Sequence, residues 1–313
     1  MKVLFMGTPN YAATILSALL KEHEVVAVFT QPDRPKGRGH KLEFPPVKTV
    51  ALDGGVEVFQ PESLRGAGIR KTLKKFGADI FVVAAYGLIL SKRVLEIPPY
   101  GCVNVHASLL PKYRGASPIQ AAIMAGDKRT GITIMQMDSG IDTGDIILMK
   151  DLAIEPDERS PSLYHRLGVL GAECILEALE LIEKGKSTLT PQDDEASSYA
   201  PIIQKSDGMI DWHRSSERIV NLTRAMDPWP GAYSMNQGEV LKIWSVVKAA
   251  EEDISAEMKE LSPGSILVPD PRRGILVRTG DEAVWVTEVQ APGRKRMSVG
   301  DYLRGSHSIK FTM

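Results

Sequence analysis

The sequence predicts an α/β fold, with a mostly parallel sheet and helices on both faces, followed by a smaller β-barrel domain. Strand-like and helix-like segments alternate through the first 187 residues, which is typical of parallel sheets. Short apolar runs between turn residues replace this alternation after about residue 205. All four tryptophans lie in that second part and indicate a separate core: Trp212, Trp229, Trp244 and Trp285.

Apolar β-branched runs predict the strands of the first domain, and apolar residues at helical spacing predict its helices. The strand-like runs are KVLFM, EVVAVFT, ADIFVVAAYG, GCVNVHAS and TGITIMQMD. YAATILSALLK and GASPIQAAIMAG have helical spacing, and Ser117 and Pro118 are suited to the N-cap and first position of the second helix. A long helix is predicted from Ser160 to Gly185. This order is Rossmann-like.

The composition changes after the long helix. Residues 188–205 are polar, contain two prolines and have little periodicity, so they are predicted to link a first domain of residues 1–187 to a second of residues 206–313. The runs VLKIWSVVKA, GSILVPD, GILVRTG and AVWVTEVQAPG predict short strands in the second domain.

Bulk properties exclude several classes of protein. The 313 residues carry a net charge of −1 and are 43% hydrophobic, as expected for a globular protein with two cores. No apolar stretch approaches the roughly 20 residues of a membrane helix. Cys102 and Cys174 have no partner spacing, so neither a disulfide nor a zinc site is expected, and a cytoplasmic location is the simplest interpretation.

The first strand-to-helix turn, MGTPNYAA, lacks the glycine pattern of a dinucleotide site. Gly7 is present, but Pro9 and Asn10 occupy the region where further glycines would let the backbone approach a pyrophosphate. The turn therefore predicts a tight connection rather than NAD binding.

A basic, proline-rich stretch from Gln31 to Lys48 follows a predicted buried strand and is too long for an ordinary connection. Its cations outnumber its acids: Arg34, Lys36, Arg38, Lys41 and Lys48 against Asp33 and Glu43. Such a loop either grips a polyanion or is a solvated loop without a partner, and both interpretations stay open at this point.

Asn104 and His106 alternate with valines, so on a strand their side chains point to the same face. They lie near the carboxyl end of that strand, where open parallel sheets bind ligands. A structural hydrogen bond between the two is the alternative, but two polar groups on one face at this edge favour a functional site.

Asp138, Asp142 and Asp145 follow the strand TGITIM in a glycine-punctuated loop. They lack the pattern of a calcium loop, so no metal is expected. One of these acids is expected to reach the histidine, and spacing alone does not decide which.

These residues resemble a known family. NVHASLLPKYRG, followed by MQMDSGIDTGD, is similar to the folate-dependent formyltransferases. FTQPDRPKGRGHKL, VVAAYGLIL, IDW and DPWPGAY narrow the resemblance to the members that act on methionyl-tRNA. The resemblance covers nearly the whole chain, and it is more specific up to residue 150 than in the tail.

The resemblance implies transfer of a formyl group from 10-formyltetrahydrofolate to the α-amine of methionine on initiator tRNA. It implies catalytic roles for Asn104, His106 and Asp142, and tRNA binding by a C-terminal barrel of the OB type. The residues implied to bind folate are Tyr86, Gly87, Leu88, Ile89, Leu90, Ser108, Leu109, Leu110, Pro111 and Asp138. The residues expected to contact tRNA are Arg34, Lys36, Arg38, Lys41, Arg294, Lys295 and Arg296.

The chemistry suits these residues, because the substrate amine is the nucleophile and the protein needs none. The reaction needs a donor for an oxyanion and a group that exchanges a proton, which an amide and an imidazole supply. Residues 204–313 are neutral overall, but a basic face such as GRKR can still bind RNA.

Alternatives differ in the acceptor or in the class of protein. A sugar nucleotide or glycinamide ribonucleotide is a possible acceptor on the same core, since the fold does not determine it. A non-catalytic RNA-binding protein is the alternative from another class, which the polar pair disfavours. The chain is expected to act as a monomer, with no membrane partner.

Overall fold

A computed structural model describes residues 1–36, 41–305 and 309–312 of the chain. Arg38, one of the predicted tRNA contacts, lies outside these residues. The chain divides into two compact units. Unit 1 comprises residues 1–118, 129–153 and 163–201, and unit 2 comprises residues 119–128, 154–162 and 202–313.

Unit 1 contains eleven strands within its described residues, and helices connect most of those in its main sheet. The strands are β1 (Lys2–Gly7), β2 (Glu24–Phe29), β3 (Arg34–Lys36), β4 (Lys41–Glu43), β5 (Val58–Phe59), β6 (Ile80–Ala84), β7 (Cys102–His106), β8 (Arg114–Gly115), β9 (Arg129–Gln136), β10 (Ile146–Ala153) and β11 (Tyr199–Ala200). The helices are α1 (Asn10–Glu22), α2 (Pro46–Asp53), α3 (Ala67–Lys75) and α4 (Lys92–Leu95), while α5 (Pro118–Ala125) and α6 (Ser160–Glu183) run across the unit boundaries.

The main sheet of unit 1 has the order β10-β9-β7-β6-β1-β2-β5. Five of these strands, from β7 to β5, are parallel. β9 runs antiparallel to β7, and β10 runs antiparallel to β9 and therefore in the direction of the other five. The mostly parallel sheet predicted from the sequence is therefore confirmed. The direction of β9 and the existence of β10 were not predicted.

Alternate residues of each central strand pack on opposite faces of the sheet. Leu4 and Met6 of β1 share a buried cluster with Phe81 of β6, Leu73 of α3 and Val94 of α4. On the other face, α1 and α6 approach β7: a Cβ at Gly171 would lie 3.1 Å from Val105 and 3.3 Å from Ile15. Helices thus cover both faces, as predicted.

Gly7 ends β1 at a position where no side chain fits. A Cβ there would lie 2.7 Å from the Ala12 Cβ and 2.8 Å from the Ala84 carbonyl oxygen. The glycine lets α1 begin close against β6, which supports the interpretation of this turn as a tight connection.

The described part of the basic stretch contains two strands, which the sequence pattern of a long loop did not indicate. β3 and β4 pair as an antiparallel hairpin, with Arg34 opposite Glu43 and Lys36 opposite Lys41. We call β3 and β4 the basic hairpin. Helix α2 begins directly after it, with Pro46 in its first turn.

Most of the predicted linker, residues 188–201, belongs to unit 1 and is held there by strand pairing. Tyr199 and Ala200 of β11 lie opposite Arg114 and Gly115 of β8. Thr190 forms a bridge with Ile146 at the start of β10. The polar composition of this segment did not indicate these contacts.

Unit 2 is built on an antiparallel sheet of the order β14-β15-β16-β13-β12-β18, with β17 paired to β16. Its strands are β12 (Tyr233–Asn236), β13 (Glu239–Lys248), β14 (Ile266–Asp270), β15 (Gly274–Arg278), β16 (Ala283–Gln290), β17 (Met297–Ser298) and β18 (Phe311–Thr312). Three further helices are α7 (Ser216–Ala225), α8 (Ala256–Lys259) and α9 (Val299–Arg304). The predicted combination of an α/β unit with a C-terminal β unit is confirmed, and the C-terminal strands form an antiparallel sheet.

In unit 2, the ion pair between Arg273 and Asp253 stacks on the ring of Trp285. Arg273 donates hydrogen bonds of 2.6 Å to both carboxylate oxygens of Asp253, and its guanidinium lies 4.3 Å from the ring centre of Trp285. The Trp285 indole donates a third bond of 2.9 Å. The guanidinium, together with the indole, lowers the pKa of Asp253 to about 2. Arg273 of the basic PRRG run is thus engaged inside its own unit.

This cluster makes stability depend on pH. Because the pKa of Asp253 is lower in the folded state than in the unfolded state, the stability that its ionised carboxylate adds is present above about pH 4. It is lost as the pH falls through about 2. We expect Asp253→Asn to lower the Tm at pH 7, and its difference from the wild type to shrink between pH 4 and pH 2.5. Thermal melts followed by circular dichroism test this, with Glu257→Gln as control; a pH-independent difference would contradict it.

Among the described residues, none of the helices combines the length and the apolar character that a membrane-spanning segment requires.

Candidate active site

Strand β7 presents Asn104 and His106 on one face near its carboxyl end. Register places Asn104 opposite Met135 of β9 and His106 opposite Thr133. His106 is 5% exposed, and Asn104 is partly buried. The intervening Val105 packs on the other face toward α6, as the period of two predicts.

Asp142 joins the two side chains. Its Oδ1 accepts a hydrogen bond of 3.2 Å from Asn104 Nδ2, and its Oδ2 lies 3.6 Å from His106 Nδ1. The backbone N–H of Gly115 donates to the same Oδ2 at 2.8 Å. Of the three acids that spacing left open, Asp142 is therefore the one that lies beside the histidine, and it is the one that the resemblance implies.

The loop that carries Asp142 reaches the pair in a way that spacing did not show. Since β9 is antiparallel to β7, its end at Gln136 lies level with Val103, near the start of β7. The loop must fold back over the strand, and Asp142 adopts a φ of 54° there. A Cβ at Gly144 would lie 1.7 Å from the Gln136 carbonyl oxygen, so only glycine fits.

Asp138 stabilises this loop from within. Its carboxylate accepts from the Gly140 N–H at 2.9 Å and from the Thr143 hydroxyl at 2.7 Å. The side chain is exposed. Asp138, which the resemblance implies as a folate contact, thus uses its carboxylate to hold the loop that positions Asp142.

The hydrogen bonds of His106 identify the ring atom that is free to take a proton. Nε2 lies 2.9 Å from the carbonyl oxygen of Tyr113, which only accepts, so Nε2 carries a hydrogen. A neutral ring therefore leaves Nδ1 bare and facing Asp142. A proton gained at Nδ1 would be balanced by the adjacent carboxylate.

Asn104 keeps one donor unused. Its Nδ2 carries two hydrogens, and Asp142 accepts one of them. Within the described residues the second hydrogen has no partner. The site thus offers a proton acceptor and an amide donor side by side, close to the carboxyl edge of the sheet.

Gln192 supports the loop and was not predicted, because residues 188–205 were interpreted as a linker. Its amide donates to the carbonyl oxygens of Asp142 at 2.9 Å and Gly144 at 2.7 Å. Its Oε1 accepts two bonds from Arg114, of 3.0 and 2.9 Å. Nothing in the local sequence pattern signals this role.

Residues 108–111 follow β7 directly and turn inward in part. Ser108 is buried, and its hydroxyl donates to the Lys112 carbonyl at 2.6 Å. Leu110 is buried, whereas Leu109 and Pro111 are partly exposed. The backbone of this turn is held by Thr133, which bonds the Leu110 N–H and the Ser108 carbonyl.

Residues 86–90 follow β6, the neighbour of β7, and so begin at the same edge of the sheet. Tyr86 and Leu90 are buried, but Ile89 is 82% exposed. Gly87 has a φ of 86° and Leu88 is partly exposed.

Each unit carries predicted tRNA contacts: Arg34 is exposed on the basic hairpin, and Arg294 and Lys295 are exposed in unit 2.

Arg296 differs from its two neighbours because its guanidinium forms ion pairs with carboxylates of its own unit. Its Nε donates to Glu288 at 2.9 Å, and its guanidinium lies 3.6 Å from Asp227 and 5.2 Å from the ring centre of Trp244. Arg294 and Lys295 have no side-chain partner within the described ranges.

Across those same ranges, no cluster of three or more His, Cys, Asp or Glu side chains is placed to hold a metal ion.

Known proteins resemble the chain along nearly its whole length. The family model described as "Formyl transferase" matches residues 1–179, and "Formyl transferase, C-terminal domain" matches residues 202–307. The methionyl-tRNA formyltransferase of Agathobacter rectalis is 44% identical over 308 residues, covering 98% of this chain and 97% of that protein. That of Caldanaerobacter subterraneus subsp. tengcongensis is 45% identical over 311 residues, covering 99% and 98%.

A solved structure shares the fold at lower identity. The N-formyltransferase from Helicobacter canadensis, in complex with folinic acid and dTDP-3-aminofucose, superposes with a TM-score of 0.65 at 21% identity. The match covers 91% of this chain and 98% of that one. The family matches along both parts of the sequence and the full-length relatives confirm the resemblance noted in the sequence: the chain belongs to the formyl transferase family.

Proposed function

We propose that this protein transfers the formyl group of 10-formyltetrahydrofolate to the α-amine of methionyl initiator tRNA, and so supports translation initiation. The observation that carries the proposal is the contact of Asn104, His106 and Asp142 at the end of β7. Two methionyl-tRNA formyltransferases are 44–45% identical to this chain, and the alignments cover 97% or more of each relative. This similarity supports the choice of acceptor.

In the proposed reaction the substrate amine attacks the formyl carbon, and the carbonyl electrons move to the oxygen. The free N–H of Asn104 donates to that oxyanion, an interaction that is stronger in the transition state than in the bound substrate. His106 takes the amine proton at Nδ1. The bond from the formyl carbon to the folate nitrogen then breaks, and His106 returns a proton to that nitrogen.

Asp142 stabilises the protonated imidazole and orients the Asn104 amide with its other oxygen. Its position depends on Gly115, Gln192 and the internal bonds of Asp138, so these residues are proposed to act on the reaction through Asp142. These supporting contacts matter because small misplacements of catalytic groups lower reaction rates strongly.

For the folate, we propose a site along residues 86–90 and 108–111, which start from the neighbouring strands β6 and β7. The exposed Ile89 offers an apolar contact to a flat ring system. Asp138 acts there indirectly, through the loop that carries Asp142.

We propose that residues 1–187 carry out catalysis, that residues 206–313 bind tRNA, and that residues 188–205 link them. We propose that the enzyme is a monomer in the cytoplasm.

For tRNA, we propose contacts by Arg34, Lys36, Arg38 and Lys41 of the basic stretch and by Arg294 and Lys295 of unit 2. We expect Arg294→Ala with Lys295→Ala to weaken tRNA binding and to reduce the salt slope of log Kd by about 1–2, because each phosphate contact releases counterions. Filter binding over a salt series measures both quantities.

The matched control is Lys259→Ala with Arg272→Ala, which removes the same charge from exposed positions of unit 2. An equal loss in both double variants would mean that only net charge matters, and would refute the assigned contact. Arg296→Ala is expected to reduce stability first, because Arg296 binds Glu288 and packs on Trp244.

An acceptor assay tests the function itself. The protein is incubated with radiolabelled 10-formyltetrahydrofolate and, separately, with methionyl initiator tRNA, a dTDP-amino sugar and glycinamide ribonucleotide. We expect label only in the tRNA. Label in the sugar or the ribonucleotide would establish the alternative acceptor, and tRNA binding without any transfer would establish a non-catalytic RNA-binding protein.

A further inference from the structure

A closed group of hydrogen bonds lies at the base of the basic hairpin. Lys48 donates to Asp33 at 2.6 Å and to the Gln60 side-chain oxygen at 2.9 Å. The Gln60 amide donates back to Asp33 at 2.7 Å. Asp33 immediately precedes β3, Lys48 belongs to α2, and Gln60 follows β5. We call Asp33, Lys48 and Gln60 the stem triad.

The stem triad is connected to the proposed folate segment. Gln60 also donates to the Gln31 carbonyl at 2.9 Å, and the Gln31 side chain donates to the Tyr86 carbonyl at 3.2 Å. The Thr8 hydroxyl gives that same carbonyl a bond of 3.1 Å. A continuous series of hydrogen bonds therefore runs from the hairpin stem to the first residue of the 86–90 segment.

The stem triad is sheltered, which strengthens its bonds. The Lys48 and Asp33 side chains are only 15% and 22% exposed. The Lys48 ammonium also lies 3.9 Å from the ring centre of Phe44, directly after β4. Charged hydrogen bonds away from bulk water are costly to break singly, so the two ends of the hairpin are tied together.

We propose that Gln60 and Lys48 are positioning residues that couple the two substrate sites, so that folate binding along residues 86–90 strengthens tRNA binding to the basic hairpin. This inference rests on the proposed function. Neither side chain needs to touch a substrate. A ligand that orders the 86–90 segment orders the hairpin stem through Gln31 and Gln60.

The coupling has a defined sign and is reciprocal. The first ligand bears part of the entropy cost of ordering the shared network, so the second binds more tightly. By linkage, tRNA must raise the affinity for folate by the same factor. Couplings of this kind amount to about 5–150-fold in affinity.

The experiment uses the full chain, methionyl initiator tRNA and tetrahydrofolate, which has no formyl group to transfer. We expect saturating tetrahydrofolate to lower the tRNA Kd of the wild type by about fivefold or more. In Gln60→Leu this ratio should fall below about twofold, while kcat with both substrates saturating stays within about threefold of the wild type.

Lys48→Met is the second variant, and it keeps the test decisive if Gln60→Leu does not fold. Its matched control is Lys150→Met, which removes the same charge and breaks a lysine ion pair of unit 1 with Glu177. We expect Lys48→Met to lose the coupling and Lys150→Met to retain it. Thermal melts verify that each variant is folded.

Two outcomes overturn the inference while leaving the proposed function intact. One is a wild type that formylates methionyl-tRNA but binds it equally well with and without tetrahydrofolate. The other is a coupling that survives in both stem-triad variants. A wild type that does not formylate methionyl-tRNA would instead refute the proposed function, and with it this inference.

Discussion

Asn104→Ala is expected to lower kcat for formyl transfer by about 100- to 1,000-fold, the usual cost of removing one oxyanion donor. The free hydrogen of the Asn104 amide is the donor placed beside His106 and Asp142. Asp142 keeps its bond of 2.8 Å from the Gly115 N–H, so its position should survive the substitution. Single-turnover kinetics with bound folate separate this loss from weaker binding.

Folate affinity supplies the control for Asn104. The Kd for tetrahydrofolate should change by less than about threefold in Asn104→Ala, because the amide acts on charge that appears only in the transition state. Asn104→Asp, which has the same shape but no donor, should be at least as slow. A variant without the amide that retained more than half of the wild-type kcat would disprove this role.

His106→Ala is expected to lower kcat by about 100- to 10,000-fold, because it removes the group that exchanges the proton. Single-turnover kinetics with folate and methionyl-tRNA both saturating measure this loss separately from any change in binding.

His106→Gln helps to separate catalysis from structure. Glutamine can still donate to the Tyr113 carbonyl, which lies 2.9 Å from Nε2, but it cannot take a proton. We expect it to be as stable as the wild type and as slow as His106→Ala. A kcat of His106→Gln within about tenfold of the wild-type value would assign the proton transfer to another group.

The pairing of Asn104 with His106 was predictable, because the side chains of a strand alternate and only the strand assignment was needed. Spacing alone did not select Asp142 among the three acids, and only the family resemblance singled it out. The position of Asp142 depends on β9 running antiparallel to β7, which sends the loop back over β7. It also depends on a backbone conformation that Asp142 adopts with φ at 54°. Neither feature has a periodic signature in the sequence.

Long-range polar contacts were the other part that the sequence did not indicate. Gln192 holds the loop of Asp142 across about fifty positions of sequence, from a segment whose composition is typical of a linker. The basic stretch forms a hairpin whose stem is bonded to Gln60, although its prolines and glycines predicted a loop. Composition reports which residues are polar, but not which partners they have.

Sequence patterns were sufficient to predict several central strands and helices of the first domain, the change to a β-rich second part, the face shared by Asn104 and His106, and membership of the family. These follow from local periodicity, turn residues and motifs, which act over a few neighbouring positions. The folded chain was needed to show the contact of Asp142 with the pair, the bare Nδ1 of His106, and the ion pair between Arg296 and Glu288. The reason is physical: each of these is set by strand direction and by contacts between residues far apart in the chain, which no local pattern encodes.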